Sequence, residues 1–391
     1  MTGAAGGMER PVVIVGSGLA GYTVAREFRK LDTATPLVIV TRDGGDSYSK
    51  PMLSNALAQG KDAAQLVNAD RARMASQLNA TIHADTAVTG IDPAASRLRL
   101  MSSQSDLAYR DLVLAVGADP IRLPIEGDGA ADVLSINDLA DYAVFRARLD
   151  GKRSALILGA GLIGCEFAND LFSRGYRVAL VDVADQALGR LVTPGLGTAL
   201  RTAFASAGVD WRLGRSVRRI DRADSGFRVT LSDGETLAAD LVLSAIGLRP
   251  RLELAQAAGL ATGRGIRVNR HLRTSVEHIY ALGDCAEVDG LVLPFVMPIM
   301  HAARALAKTL AGQPATVSYP AMPVVVKTPA YPVVVAPPTA GAAGAWTETA
   351  TADGARALFH GPGGELLGFA LGGAATAEKQ ALTPQLPPVL A

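Results

Sequence analysis

The stretch RSALILGAGLIGCEFANDL, residues 153–171, joins a short apolar run, a glycine-rich turn and a helix-compatible segment. Gly159, Gly161 and Gly164 have the GxGxxG spacing of a turn that binds a pyrophosphate. The first glycine permits the tight turn, the second leaves room for the anion, and the third lets helix and strand pack closely. Free N–H groups at the helix start then face the anion, at the positive end of the helix dipole. The pattern predicts a dinucleotide-binding turn.

An acidic residue follows the next apolar run of the sequence. Residues 177–181 lead into Asp182, where a carboxylate is expected to bind the ribose hydroxyls of an adenosine. A carboxylate also repels a 2′-phosphate, and no Arg or Lys follows before Arg190. This favours NADH over NADPH, and a solvated strand end is the alternative role of Asp182.

A second copy of the motif lies near the N-terminus. Residues 11–15 are apolar, GSGLAG occupies residues 16–21, and residues 22–31 have the pattern of an amphipathic helix. Gly18 and Gly161 are 143 residues apart, so the chain is expected to contain two dinucleotide folds.

The acidic residue of this second copy is less obvious. The strand predicted over residues 36–40 runs into Thr41, Arg42 and Asp43, and no glutamate stands at its tip. Thr41 or Asp43 is therefore the candidate for the ribose contact.

Composition narrows the possible functions. With 391 residues the chain is long enough for two or three domains. Its formal net charge of +1 and its 19% of charged residues argue against nucleic-acid binding. Cys165 and Cys285 form no CxxC, which is typical of a reducing compartment and excludes a dithiol active site. The cysteines and the five histidines form no metal-ligand cluster, so no metal site is expected.

Membrane and export signals are not found in the sequence. The N-terminal residues MTGAAGGMERP lack the charged and then apolar pattern of a secretory signal. The most apolar run, residues 291–300, is shorter than the roughly 18 residues of a membrane span and contains two prolines. We therefore expect a cytoplasmic protein without membrane insertion.

Several later segments combine an apolar strand with a glycine turn. Two of them, residues 109–118 and 240–250, are typical of chain crossings between nucleotide-binding domains. Residues 271–286 predict a strand that leads into a Gly-Asp step, and residues 299–310 predict a helix with one buried side. Residues 46–54, DSYSKPMLS, predict only a polar turn.

The last 73 residues, 319–391, differ in composition from the rest of the chain. They are poor in charge and rich in Pro, Val, Ala and Gly. Strand-like stretches occur at residues 324–326, 333–335, 355–359 and 366–371. These stretches predict a small α+β domain.

Taken in order, the motifs resemble the FAD- and NAD(P)H-dependent pyridine nucleotide–disulfide reductase superfamily. They are the two glycine turns, LAVGA at 114–118, AIGLRP at 245–250 and YALGDCA at 280–286. Within the superfamily the chain resembles the rubredoxin reductases, through SYSKPMLS at 47–54, GAGLIGCEFANDL at 159–171, YALGDCAEVDGL at 280–291 and KTPAYPVVVAPP at 327–338. The likeness extends from Pro11 to the C-terminus.

The resemblance implies an α/β fold class with two Rossmann-like dinucleotide-binding domains and a small α+β C-terminal interface domain. The FAD-binding domain would comprise residues 8–118 and 248–318. The NAD-binding domain would comprise residues 119–247, and the C-terminal domain residues 319–391.

The resemblance also implies which residues bind the cofactors FAD and NAD. Asp284 would bind the ribityl chain, since a carboxylate accepts a strong hydrogen bond from a hydroxyl. The helix that begins near Pro298 would direct its positive dipole end at the flavin. The residues expected to bind FAD or NAD are Gly16, Gly18, Leu19, Ala20, Gly21, Thr41, Lys50, Pro51, Ala115, Gly117, Gly159, Gly161, Leu162, Ile163, Gly164, Glu166, Asp182, Gly247, Gly283, Asp284, Pro298 and Lys327.

Lys50 and Glu166 are the catalytic residues that the resemblance implies. Family members place a basic side chain near flavin N5, and Lys50 lies in the corresponding segment. Glu166 would lie beside the nicotinamide and pair with Lys50, so that the lysine stays charged. A solvated loop lysine and a helix N-terminal acid are the alternatives. Lys327 is a further flavin-facing candidate, or else a loop lysine, because VVVKTPAYP replaces the Trp-containing segment of ferredoxin-type oxygenase reductases.

The implied activity is electron transfer from NADH through FAD to rubredoxin, a small acidic iron protein. A hydride would pass from NADH to the flavin, and single electrons would then pass to rubredoxin. Without a CxxC no disulfide relay is possible, so electrons must leave the flavin directly, which leaves one-electron acceptors, oxygen or a quinone. The alternatives are a ferredoxin reductase or NADH oxidase of the same fold, and a slow flavin redox sensor. An acidic partner favours a basic docking surface, for which Arg249, Arg251 and Lys327 are preferred to the arginines of residues 212–222.

Overall fold

The structure is a computed structural model that describes residues 10–101, 106–351 and 353–391. The chain divides into two compact units, each assembled from separate segments. The first unit comprises the residues up to Ser49, Val67–Asp119 and Arg249–Tyr319. The second unit comprises Lys50–Leu66, Pro120–Leu248 and Pro320–Ala391. Each unit therefore contains one of the two glycine turns.

A five-stranded parallel sheet forms the centre of the first unit. In spatial order its strands are Ile279–Ala281, Asp111–Leu114, Val12–Val15, Leu37–Val40 and Ala80–His83. Every residue of the three central strands is buried, as expected of a parallel sheet that is covered on both faces. The helices Leu19–Arg29 and Val296–Leu310 pack against each other.

Smaller elements complete the first unit. The helices are Arg71–Leu78 and Glu253–Ala257, with a 3₁₀ turn at Gly283–Cys285. The strands are Ser47–Tyr48, Val67–Ala69, Val88–Asp92, Arg97–Leu100, Leu107–Ala108, Ile266–Val268 and Ala286–Val288. The chain passes from one unit to the other within the strands Ala118–Pro120 and Leu248–Pro250.

The second unit is built on a four-stranded parallel sheet. In spatial order its strands are Asp210–Leu213, Arg177–Asp182, Ser154–Leu158 and Leu241–Ser244. A three-stranded antiparallel sheet shares a buried core with it and consists of Val217–Ala223, Gly226–Leu231 and Thr236–Ala239. The helices are Leu139–Leu149, Leu162–Phe172 and Pro194–Ser206. The strand, turn and helix predicted over residues 153–171 are thus confirmed.

Residues 320–391 form a five-stranded antiparallel sheet followed by short helical turns. Its strands, in spatial order, are Val324–Val326, Val333–Ala336, Leu366–Gly373, Gly354–His360 and Ala345–Thr351. The last strand was not predicted, because AWTETAT contains Trp346 as its one large apolar residue. Trp346 packs edge-on against Phe359, with ring centroids 5.4 Å apart. Parallel sheets with a C-terminal antiparallel domain confirm the predicted α/β class.

Two predicted segments differ from the structure. Residues 46–54 are not a simple polar turn, because they contain the strand Ser47–Tyr48 and the 3₁₀ helix Lys50–Ser54. The short helix is anchored by Leu53, whose apolar side chain is buried. The helix expected over residues 299–310 begins earlier and spans Val296–Leu310, because a proline in the first turn of a helix removes no intrahelical hydrogen bond.

Candidate functional site

The two glycine turns, residues 16–21 and 159–164, have the same backbone geometry. Gly16 and Gly159 have φ values of 111° and 102°, which favour glycine. A Cβ on Gly21 would overlap the carbonyl oxygen of Gly16, and a Cβ on Gly164 would overlap that of Gly159. The first and third glycines are therefore required by the close approach of strand and helix.

The middle glycines, Gly18 and Gly161, differ from the other two. A Cβ on either would meet nothing within 4 Å, so each borders open space. Each is also the N-cap of a helix, Leu19–Arg29 or Leu162–Phe172, and provides no side-chain cap. The first N–H groups of a helix have no partner within the helix, so open space at both helix starts suits the pyrophosphate of a dinucleotide.

Asp182 lies beside the second turn. Its Oδ2 accepts a hydrogen bond from the backbone N–H of Ala160 at 2.5 Å, and its Oδ1 accepts one from Ala184 at 2.8 Å. The carboxylate is thus fixed at the end of the strand Arg177–Asp182, next to the residue between the first two glycines. This position suits the predicted contact with an adenosine ribose.

Several predicted cofactor residues surround the first turn. The carbonyl of Ala115 lies against Gly16, and Gly283 approaches Ala20 so closely that an added Cβ would lie 2.8 Å from the Cβ of Ala20. Asp284 is half-buried, and its carboxylate accepts no hydrogen bond from the residues that the structure describes. An acceptor in this setting is suited to a hydroxyl-bearing ligand.

The remaining predicted cofactor residues lie on helix starts and turns. Leu19 begins the helix after the first turn, Leu162 and Ile163 begin the helix after the second, and Pro298 is buried in the first turn of Val296–Leu310. Gly117 and Gly247 have φ values of 72° and 116°, and Thr41 is 4% exposed.

A buried ion pair connects Glu166 with Lys327. Glu166 is 1% exposed, and its Oε2 lies 2.7 Å from Nζ of Lys327 and accepts a hydrogen bond from Ser54 Oγ at 2.5 Å. The backbone N–H of Lys327 donates to Oε1 at 2.9 Å. Nζ of Lys327 also donates to Ser54 Oγ at 2.7 Å and to the carbonyl of Pro51. Both oxygens of the carboxylate and the ammonium group are therefore satisfied.

The expected pair between Lys50 and Glu166 is wrong. Lys50 begins the 3₁₀ helix Lys50–Ser54, and its Nζ donates to Oδ1 of Asn137 at 2.7 Å. The helix instead brings Ser54, at its other end, to the carboxylate of Glu166. The cation paired with Glu166 is Lys327, which follows the first strand of the C-terminal sheet.

The helix Leu162–Phe172 carries two further buried polar residues that sequence reasoning missed. Asn169 Oδ1 accepts a hydrogen bond from Ala330 N at 3.1 Å. The carboxylate of Asp170 accepts one from Leu57 N at 3.0 Å and one from Ala58 N at 2.7 Å. Polar residues three and four positions after Glu166 share its helix face, and this spacing was the available signal.

Burial changes the acidity of several groups near this helix. It raises the pKa of Asp170 to about 6, although the hydrogen bonds from Ala58 and Leu57 act in the opposite direction. Burial also raises the pKa of the Cys165 thiol, and that of Cys285 to about 11. Both cysteines are free and buried, so their thiols stay protonated and unreactive.

Most cations proposed for docking are paired with carboxylates. Nη2 of Arg251 lies 2.5 Å from Asp119, and Lys327 is paired with Glu166. In the run of residues 212–222, ion pairs are formed by Arg212, Arg215, Arg219 and Arg222. These ion pairs offset part of the charge of Arg251 and Lys327, although Asp119 is shared between Arg251 and Arg42. The predicted basic surface of Arg249, Arg251 and Lys327 stays a prediction.

Metal-binding clusters and membrane-spanning helices are absent from the part of the chain that the structure describes. No group of three or more His, Cys, Asp or Glu side chains there could hold a metal ion. No helix among those residues is both long and apolar enough to cross a membrane.

The fold and the turns define a class of protein, the oxidoreductases with two Rossmann-like dinucleotide-binding folds. The chain belongs to the pyridine nucleotide-disulphide oxidoreductase family, which matches residues 10–309. Membership of this family implies binding of FAD and NAD. Residues 316–386 match the rubredoxin binding C-terminal domain.

The chain is similar to curated relatives over nearly the whole length of both chains. The chain is 50% identical over 381 residues to the rubredoxin-NAD(+) reductase of Alcanivorax borkumensis, with 97% of this chain and 99% of the relative covered. It is 46% identical to the rubredoxin-NAD(+) reductase of Acinetobacter baylyi, with coverages of 95% and 96%. The crystal structure of the ferredoxin reductase for the CYP199A2 system from Rhodopseudomonas palustris superposes with a TM-score of 0.87 at 28% identity, with coverages of 97% and 96%.

Gly161→Ala and Gly164→Ala should separate ligand binding from folding. Gly161→Ala should keep the wild-type unfolding temperature, because its Cβ enters open space, and should raise KM for NADH about 10-fold or more by filling the anion site. Gly164→Ala should lower the unfolding temperature, because its Cβ would overlap the backbone of Gly159. Thermal unfolding and steady-state kinetics measure both effects. An unchanged KM in Gly161→Ala would contradict the assignment of this space to a pyrophosphate.

Asp170 should make stability depend on pH. Because its pKa is raised to about 6, the folded state binds this proton more tightly than the unfolded state. The resulting stabilisation is present at low pH and is lost as the pH rises through about 6. Relative to Asp170→Asn, the wild-type unfolding temperature should therefore rise when the pH falls from about 7 to about 5. Scanning fluorimetry at both pH values is the measurement, and parallel pH profiles would count against a buried, titrating Asp170.

Proposed function

We propose that the chain is an NADH-dependent flavoprotein that binds FAD and reduces rubredoxin. One observation carries this proposal: Glu166, on the helix that follows the second glycine turn, is ion-paired with Lys327. Lys327 lies within the residues that match the rubredoxin binding domain. The proposed NADH site and the proposed rubredoxin-binding segment are therefore joined by a buried contact.

The first glycine turn, with Ala115, Gly283 and Asp284, would hold FAD. The second turn and Asp182 would hold NADH with its adenosine ribose on the carboxylate. The chemistry that FAD supplies when bound is acceptance of a hydride and release of electrons one at a time.

The protein's own contribution to the reaction is positioning and charge. Glu166 stabilises the ammonium charge of Lys327 and fixes its position through Ser54 and Pro51. Lys50, held by Asn137, stays a proposed flavin-side cation. Both cysteines are free and buried and form no CxxC, so the electrons of the flavin would pass directly to a one-electron carrier, to oxygen or to a quinone.

The proposal includes a domain division and a location. We assign residues 8–118 and 248–318 to an FAD domain, 119–247 to an NAD domain and 319–391 to a C-terminal interface domain. Free thiols and the use of NADH suit the cytoplasm.

Asp182 should determine the choice between NADH and NADPH. Asp182→Asn removes the charge that repels a 2′-phosphate, so the ratio of kcat/KM for NADH to that for NADPH should fall about 10-fold or more. Asp210→Asn makes the same change at an exposed strand start of the same unit and should leave the ratio unchanged. Equal kcat/KM values for the two nucleotides in the wild type would rule out this role of Asp182.

Glu166→Gln should slow the reduction of the bound flavin by NADH. The substitution keeps the shape of the side chain but removes the charge that positions Lys327, and we expect a decrease of about 10-fold or more with FAD still bound. Anaerobic stopped-flow bleaching of the flavin band measures this rate. Glu235→Gln is the matched control, since Glu235 pairs with Arg212 and Arg215 on the surface of the same unit. Equal bleaching rates in wild type and Glu166→Gln would leave Glu166 with a purely structural role.

Rubredoxin reduction from NADH tests the proposed activity directly. Residues 316–386 contain three Lys or Arg against four Asp or Glu, so this segment offers little steering for an acidic partner. We therefore expect a rubredoxin rate that changes less than about threefold as ionic strength rises to about 0.3 M. Cytochrome c reduction with and without added rubredoxin measures it. Activity with ferredoxin alone would favour a ferredoxin reductase. NADH oxidation by oxygen alone would favour an oxidase, and very slow turnover with every acceptor would favour a redox sensor.

A further inference from the structure

The two glycine turns agree in backbone register but differ in the residue that follows the second strand. Val15 pairs with Val40 in the first unit, and Leu158 pairs with Val181 in the second. In each copy the first glycine donates its N–H at 2.8 Å to a carbonyl oxygen of the neighbouring strand, that of Val40 or of Val181. The residue after Val181 is Asp182, so Thr41 occupies the equivalent position in the first copy.

Thr41 does not present its hydroxyl to a ligand. It is 4% exposed, and its Oγ1 donates to Oδ1 of Asp43 at 2.8 Å. The same oxygen of Asp43 accepts hydrogen bonds from Ser17 Oγ at 2.7 Å and from Gly45 N at 3.0 Å. Three donors therefore fix one oxygen of the Asp43 carboxylate.

The partner of Asp43 in the turn corresponds to the partner of Asp182. Ser17 lies between the first two glycines of the first turn, as Ala160 does in the second turn. Asp182 reaches that residue through its backbone N–H, and Asp43 reaches it through the Ser17 hydroxyl. Asp43, two residues after the position equivalent to Asp182, thus places a carboxylate beside the first turn.

The other oxygen of Asp43 is available to a ligand. The residue is exposed, and its Oδ2 accepts no hydrogen bond from the residues in the described ranges. A carboxylate oxygen with free lone pairs, beside a pyrophosphate-type turn, is a suitable acceptor for the hydroxyls of a ribose.

We propose that Asp43 binds the adenosine ribose of FAD in the place that an acid at the strand tip would otherwise occupy. Ser17 and Thr41 are positioning residues for this carboxylate. The inference rests on the proposed function, because it assumes that the first turn binds FAD.

A competition between two flavins tests this contact. Holoprotein is equilibrated with FAD and with an FAD analogue that carries 2′,3′-dideoxyadenosine, and the bound flavins are then released and quantified. Wild type should prefer FAD by about 10- to 100-fold, since the analogue lacks the hydroxyls that donate to a charged acceptor. Asp43→Asn should lose most of this preference, because the asparagine oxygen can keep the three bonds to the turn while an NH₂ group replaces Oδ2.

The control variant is Asp46→Asn, which removes the same charge three residues further along, where Asp46 Oδ1 accepts from Arg71 N at 3.1 Å. It should keep the wild-type preference, and unfolding temperatures show whether each variant is folded. A preference for FAD that survives in folded Asp43→Asn overturns the inference, as does a wild type that binds both flavins equally. A wild type that binds neither flavin overturns the proposed function itself.

Discussion

The buried carboxylate of Glu166 is the constraint on which the candidate site depends. A charge that is 1% exposed is stable only when it is paired and hydrogen-bonded, and Lys327 and Ser54 meet this requirement. Removal of the cation from such a pair costs about 3–5 kcal/mol, because the carboxylate of Glu166 is then left buried and uncompensated. The segments that carry Ser54 and Lys327 are therefore fixed at this helix by electrostatics as well as by packing.

The same helix joins the nucleotide turn to these segments. Leu162–Phe172 starts at the second glycine turn, and its buried polar face holds residues 57 and 58 through Asp170 and residue 330 through Asn169. A rigid element that carries both an anion site and the counterion of a lysine keeps their spacing constant. This arrangement explains why so apolar a helix contains three buried polar side chains.

The two copies of the glycine turn share one backbone geometry but differ in the residues around it. The close approach of strand and helix requires glycine at the first and third positions of both turns, whereas the acid beside each turn comes from a different position, Asp182 or Asp43. In the C-terminal domain, Lys327 forms an ion pair with Glu166 of the helix Leu162–Phe172.

The sequence by itself determined the two dinucleotide folds, the strand, turn and helix around each GxGxxG, and Asp182 as a ribose-binding candidate. These features are local, since glycine spacing and apolar runs act over a few residues. The tertiary structure decided the other contacts. It made Lys327, and not Lys50, the partner of Glu166, and it brought Asp43 to Ser17. It also decided the roles of three further residues, Ser54, Asn169 and Asp170. Each of these contacts joins residues that are distant in sequence or lie on irregular backbone, and a buried charge selects its partner from whatever the fold brings within hydrogen-bond distance.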